Sequence, residues 1–525
     1  MSFSRTAAKA LVARDLPIDR TRIGTVHAFC YRALGLHGRD ALVVTDKIAV
    51  DAWNKGPGQR RGWSVALHGR GREEAEPADL VQRADDRAMG VVNAQAEYDR
   101  LRTAMVPRDR WGREIVAFAT EWEKHKLAAG KPDFTDLVEQ VLVGEVACPV
   151  NAAVLFADEA QDFGALELSV VRLWGSRCQH YVIAGDDQQA IYGFRGASPM
   201  AFIEPDVPAE QKTFLLRSWR LPEVVKNYAS AYGATIRAGR FVPKQFEPNA
   251  PGGSVARASL QAMRQPGATV QWIAARIAEA DAARGRPRQP GDPLPVLVLA
   301  TCAYMLAPTI ASLRAAGIAF CNPYAPHRGD WNPLRSGGAA DRLARFLEPR
   351  EIQTWADAAF WADWLAVMAL GWKTGAKAMV EEIGADATEG KLQVDPGEWE
   401  QITGRPMPPH EPDWYLASTL KSHFRGLTLP VAMVRRDGPD SLKAMPGCGI
   451  GTVHSVKGGE AEHVLVWPDL SRAAAEEAMT PEGRDEIVRL FYVAMTRARR
   501  TLTIGQASCN DAVVLPSVMR AHESP

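Results

Sequence analysis

The sequence predicts an α/β protein built on two parallel-sheet domains, each carrying a mainly helical insertion. Three observations lead there: short β-branched runs end abruptly in polar residues, helical patterns lie between those runs, and two long stretches break the alternation. The runs cover residues 153–157 before Asp158, 181–184 before Gly185, 296–299 and 463–466, and they read as buried parallel strands. Helical patterns at 166–173 and 309–316 give the alternation of a sheet covered by helices. Ligands bind such sheets beyond the carboxyl ends of the strands, which is where the polar blocks fall.

The first sheet domain is expected at 1–40 and 130–205, and the second at 206–335 and 446–525. One insertion, 41–129, is rich in Arg, Glu and Asp and reads as helices plus loops, with Gly69-Arg70-Gly71-Arg72-Glu73-Glu74 as a flexible, solvated turn. The other, 336–445, contains Trp355, Trp361, Trp364 and Trp372, either the core of a helical unit or a base-stacking surface. Pro- and Gly-rich stretches at 285–295 and 404–412 read as connectors, and no repeat occurs at motif level.

A chain of 525 residues, 46% hydrophobic and 24% charged, can bury several cores. Basic and acidic residues balance at 62 each, so any nucleic-acid contact must come from local grooves and not from a global basic field. The seven cysteines stand far apart, at 30, 148, 178, 302, 321, 448 and 509, without a Cys-x-x-Cys pair, which argues against a zinc site or a disulfide framework. No run approaches the roughly 18 apolar residues of a membrane span, and charges stand where a signal peptide would be apolar. A cytoplasmic protein without membrane contact is expected.

Four blocks carry the chemistry: Asp158-Glu159-Ala160-Gln161-Asp162, Gly185-Asp186-Asp187-Gln188-Gln189, Thr452-Val453-His454-Ser455-Val456-Lys457-Gly458, and Tyr492-Val493-Ala494-Met495-Thr496-Arg497-Ala498-Arg499. An Asp-Glu pair at a strand end can give one carboxylate to Mg²⁺ and a second to an attacking water, although an acidic pair in isolation reads equally as a helix start or solvated loop. Guanidinium groups such as those of Arg220 and Arg497 can hold phosphate oxygens in paired bonds, or simply form surface ion pairs. Aromatic side chains such as Tyr192 and Phe194 can stack on any base, or fill a core between domains.

In order and spacing these blocks resemble the motor motifs of the UvrD/Rep family of superfamily-one DNA helicases. The stretch from Gly185 to Ala197 is the most specific part of the match, and Ser218-Trp219-Arg220 resembles the family's Asn-Tyr-Arg. The resemblance implies two RecA-like domains of the P-loop NTPase type, ATP and Mg²⁺ as cofactors, and single-stranded DNA and duplex junctions as partners, with 3′ to 5′ movement. It implies Asp158 on the metal, Glu159 on the water, Gln189 as γ-phosphate sensor, Arg220 and Arg497 on the phosphates, and Glu460 on the ribose. For DNA it implies Phe3, Thr25 and His27 from the N-terminal blocks, Tyr192, Phe194 and Arg195 from the third motif, and Thr452 and His454 from the fifth. Two departures stand out. Phe194 replaces a more common Trp, and Gly459-Glu460-Ala461 replaces Leu-Glu-Phe, which puts the packing around Glu460 in question.

The sequence contains no Gly-x-x-x-x-Gly-Lys-Ser/Thr loop to cradle phosphates. Losing three charge-assisted bonds of about 1.5–3 kcal/mol each would weaken nucleotide binding by roughly three to six orders of magnitude. The first domain is therefore expected to lack its N-terminal start. The loop would come from residues upstream or from a separate polypeptide. The other reading is a non-catalytic DNA-binding or scaffold protein descended from a helicase.

Overall fold

The computed structural model describes residues 1, 18–38, 41–67, 93–325, 328–386 and 388–517. Phe3 and the 69–74 turn lie outside them. The fold is mixed α/β with two parallel sheets, as the alternation of apolar runs and helical patterns predicts.

In the first sheet, β1 (Val154–Ala157) pairs in parallel with β2 (His180–Ile183), in register from Val154 opposite His180 to Ala157 opposite Ile183. The Ala165–Gly175 helix connects them and buries Leu168, Val170, Val171 and Trp174. Met1 adds one further pairing: its carbonyl accepts from Asp158 N at 3.0 Å, and its amino group donates to the Phe156 carbonyl.

The second sheet has six strands, all parallel, in the order β3-β8-β7-β4-β6-β5. These are β3 (Ser254–Gln261), β4 (Leu294–Ala300), β5 (Phe320–Cys321), β6 (Cys448–Thr452), β7 (Ala461–Val466) and β8 (Ala498–Gln506). Central β4 is buried from Pro295 onward, and its unbroken apolar sequence suits a strand covered on both faces. Helices Pro266–Arg284, Ala307–Ala315 and Pro481–Met495 make the crossovers.

Between β5 and β6 the chain forms a run of helices that includes Ala339–Phe346, Trp355–Ala362, Ala376–Ala385, Pro396–Thr403 and Lys421–Asp437. Its core settles the two readings of the tryptophans. Trp355, Trp361 and Trp399 are buried, with ring centroids 5.4 Å apart for Trp361–Trp399 and 5.2 Å for Trp372–Trp399. Trp364 stacks on His423 at 4.3 Å and packs against the same core.

A second helical group, Lys47–Lys55, Ala94–Thr103 and Arg113–Ala129, closes around Trp53, Phe118 and Trp122. A buried charge network anchors it to the Phe134–Val143 helix. Arg102 and Lys126 both bond Asp133 and Asp136, which themselves form the reciprocal capping box that starts this helix. Removing one member would leave a buried charge uncompensated.

Among the described residues, no helix is long and apolar enough to cross a membrane. Truncating Trp399 to Ala should cost about 3–5 kcal/mol of stability by leaving a cavity among three other indoles, whereas Trp364→Ala should cost less because its ring is only partly enclosed. Urea unfolding followed by circular dichroism measures both.

Candidate functional site: a cleft between the two sheets

The polar blocks that end β1, β2 and β6 meet in one cleft, joined by the block that opens β8. Asp158 follows β1, and its Oδ1 accepts from Glu159 N at 3.0 Å. Glu159 takes a left-handed backbone, φ +55°, which is costly for a residue with a Cβ and occurs where the surroundings impose it. Its side chain is 46% exposed, and Oε2 accepts from Gln161 Nε2 at 2.6 Å. Gln161 is buried, and its Oε1 accepts from Asp186 N at 3.0 Å, stitching the turn after β1 to the turn after β2. Gly185 is needed for this approach, since a Cβ there would lie 2.4 Å from Gln161 Oε1.

Gln189 faces the second sheet. Its Nε2 donates to Asp186 Oδ2 at 2.7 Å, and its Oε1 accepts from Arg497 Nη2 at 3.1 Å. Arg497 is only 1% exposed and spends its other donors on the Val493 and Gly459 carbonyls and Thr496 Oγ1. Among the described residues no carboxylate is ion-paired with it. Burial, reinforced by the nearby Arg220 charge, pushes its pKa down to about 9. This cation is short of a counter-charge, as a site built for an anion would be.

Arg220 donates from Nε to Glu460 Oε2 at 2.8 Å and from Nη1 to the Thr496 carbonyl at 3.3 Å, while Arg499 also bonds Glu460. Burial raises the Glu460 pKa, but the two arginines outweigh it and hold the carboxyl below its ordinary value. The unusual Gly459 has a steric reason. The Tyr324 ring fills the space beside it, so a Cβ at 459 would stand 2.5 Å from a ring carbon.

Lys457 reaches across from the second sheet's side. It bonds both oxygens of buried Asp162 at 2.5 Å and the Gln189 carbonyl at 2.8 Å, and lies 4.0 Å from Glu159 Oε2. Burial drives the Asp162 pKa up to about 7 against the opposing Lys457 charge.

Beside this polar centre lies an aromatic cluster. Phe194 meets Tyr192 at 5.9 Å and His454 at 5.5 Å, both edge-on, and His454 Nε2 sits 3.2 Å from the Ile191 carbonyl. Phe194 and His454 line a cleft with Ile191, Cys302 and Leu490, while Tyr192 is buried. Thr452 is buried at the end of β6, where its hydroxyl accepts from Ser455 N at 3.4 Å. Arg195 donates to Glu167 Oε1 at 3.3 Å.

Thr25 and His27 are buried. Thr25 caps the Val26–Ala33 helix by accepting from Ala28 N, and His27 is buried 3.6 Å from the same Glu167 oxygen. Sequence reasoning gave no role to Gln161, Asp162, Lys457 or Tyr324. The first three sit inside the motif blocks, so their positions were visible but not their bonding. Nothing in the sequence ties Tyr324 to Gly459.

Gly459→Leu should destabilise the fold by about 1–3 kcal/mol through overpacking, and adding Tyr324→Ala should recover part of the loss; thermal melts of the single and double variants decide. The pH response has two limbs. Asp162 binds its proton more tightly folded than unfolded, so its contribution is complete at acid pH and is lost as pH rises through about 7. Asp186 is the reverse case: burial opposes its ionisation, but Lys244 and Gln189 hold its pKa below the ordinary 3.8, so its contribution is present above that value and is lost on further acidification. Melting temperature followed from pH 8 to pH 3, with Asp162→Asn expected to flatten the upper limb, measures this.

Residues 2–206 match the UvrD/REP helicase N-terminal domain family. The chain is 24% identical over 161 residues to YjcD of Bacillus subtilis, named as a candidate ATP-dependent DNA helicase; the aligned part makes up 27% of this chain and 21% of that protein. It is 39% identical over 73 residues to F-box DNA helicase protein 1 of Schizosaccharomyces pombe, covering 14% of this chain and 8% of that protein. The alignments thus span about a fifth or less of these relatives. The family match takes in the first two-fifths of the chain, and over that part the protein is similar to the N-terminal domain of UvrD-like helicases.

Proposed function

We propose that this chain serves as an ATP-dependent DNA translocase that moves 3′ to 5′ on single-stranded DNA and opens duplex junctions, its phosphate cradle supplied by upstream residues or by a partner. The observation that carries the reading is the contact of Gln189 with Arg497 across the cleft, with Asp158 and Glu159 on the same rim. Four domain segments fit this reading: 1–40 with 130–205, the insertion 41–129, 206–335 with 446–525, and the insertion 336–445. Bound ATP with Mg²⁺ would supply the phosphoanhydride whose hydrolysis drives movement.

The residues present suit that group. Asp158, at the end of β1 on the rim of the cleft, would contribute one carboxylate to the metal's shell. Glu159, exposed and steadied by Gln161, would orient the attacking water and take its proton. Arg497 and Arg220 would neutralise phosphate charge from the opposite wall, and Glu460 would contact the ribose. Phe194 and Tyr192, with His454, Thr452 and Arg195, would grip the strand; Thr25 and His27, being buried, would act by shaping that surface. Because Lys457 and His454 lie on one short segment and touch the Gln189–Ile191 backbone, grip and hydrolysis would change together.

The phosphate cradle would come from a polypeptide segment outside these 525 residues. In support, Val154, Phe156, Tyr181 and Val182 of the two-stranded sheet are exposed apolar side chains, Phe156 to 58%. Further strands and their loop would cover them. The missing loop also favours a second reading, a non-catalytic DNA-binding scaffold.

The deciding experiment is ATP hydrolysis with and without single-stranded DNA, comparing the chain with Glu159→Gln. DNA-stimulated turnover that falls at least about 100-fold in the variant is expected once the cradle is present. Unchanged turnover would remove Glu159 from its role, and nucleotide-independent DNA binding without turnover in a cradle-bearing form would select the scaffold.

A further inference from the structure

Lys244 makes an interaction that none of the sequence motifs contains. It lies in the loop after the Glu223–Gly233 helix, on the second-sheet side of the cleft, with a side chain only 20% exposed. Its ammonium group donates to Asp186 Oδ1 at 2.7 Å and also bonds Asp187 Oδ1. The same loop is fastened to the same turn twice more. Val242 N donates to Asp187 Oδ2 at 2.9 Å, and Arg489 bridges the Asp187 carbonyl at 3.1 Å and the Arg240 carbonyl at 2.6 Å.

Asp186 passes this hold onward in two directions. Its second oxygen accepts from Gln189 Nε2, and its backbone N–H meets Gln161, which holds Glu159. A carboxylate only accepts and a guanidinium only donates, so Gln189, bonded between Asp186 and Arg497, has one amide orientation. Its oxygen must face Arg497. Without the Lys244 charge, two adjacent carboxylates, one of them fully buried, would lose the cation that bonds both of them. Asp186 would then take up a proton or turn away, and Gln189 would lose the partner that fixes it.

We propose that Lys244 is a positioning residue that acts through Asp186 to set the orientation of Gln189 and the placement of Gln161 against Glu159. The proposal rests on the reading of this cleft as the nucleotide site, so its first test uses no nucleotide. In the 525-residue chain, Lys244→Met should speed amide hydrogen exchange across residues 185–191 by about tenfold, while β4 stays within about twofold of the parent. Lys244→Arg should keep most of the protection. Asp186→Asn should match Lys244→Met, and the double variant should add nothing further, because the two act as one unit. Unchanged exchange at 185–191, or equal acceleration in β4, would overturn the proposal.

The second arm is steady-state ATP hydrolysis in any form that turns over. There kcat should fall about tenfold in Lys244→Met with KM within about threefold, since the lysine touches no substrate; an unchanged kcat would overturn the proposal. A cradle-bearing parent with no turnover counts against the proposed function instead, and the exchange result alone then decides on Lys244.

Discussion

The cleft depends on Asp186. Its carboxylate bonds Lys244 and Gln189, its amide bonds Gln161, and through Gln161 it reaches Glu159. One short turn after β2 thus connects the turn after β1 with two elements of the second-sheet side. The arrangement is sustained because the charges balance locally: Lys244 stands against Asp186 and Asp187, and Lys457 against Asp162. Buried ion pairs of this kind contribute modest net stability, but removing one partner is expensive, which makes the geometry hard to lose piecemeal.

Most of the fold was legible because its signals are local. The runs before Asp158 and Gly185 are apolar, short and abruptly ended, and they became β1 and β2 within a residue of the expected bounds. The tryptophans of the helices between β5 and β6 were ambiguous because an indole serves a core or a base equally well, and only the three-dimensional neighbours of Trp399 distinguish the two.

The site was legible to the level of its blocks and not to the level of its bonds. Gln189 and Arg497 are 308 positions apart, and nothing in either segment announces that they touch. Lys244 and Tyr324 were invisible for a stronger reason: each lies outside every motif and matters only through one contact, with Asp186 and beside Gly459 respectively. Thr25 is ambiguous in another way. As a helix N-cap its hydroxyl already has a local donor, and an N-cap and a ligand-binding threonine look alike in sequence.

Arg497 bears on why a nucleotide-binding reading outweighs a scaffold reading. A guanidinium group buried to this degree with backbone, hydroxyl and amide oxygens but, among the described residues, no paired carboxylate is a standing cost, because those acceptors replace hydration without cancelling the charge. A protein that only had to hold its shape would do better with an apolar side chain of similar volume at that position. An anion entering between Arg497 and the Asp158–Glu159 rim would supply the missing counter-charge, and the phosphates of a nucleotide would be such an anion. The same argument extends to Arg220, whose carboxylate partner Glu460 is shared with Arg499, leaving two guanidinium groups on one acid. The excess positive charge on this wall faces acidic residues on the other, and a phosphate chain with its magnesium ion would satisfy both at once.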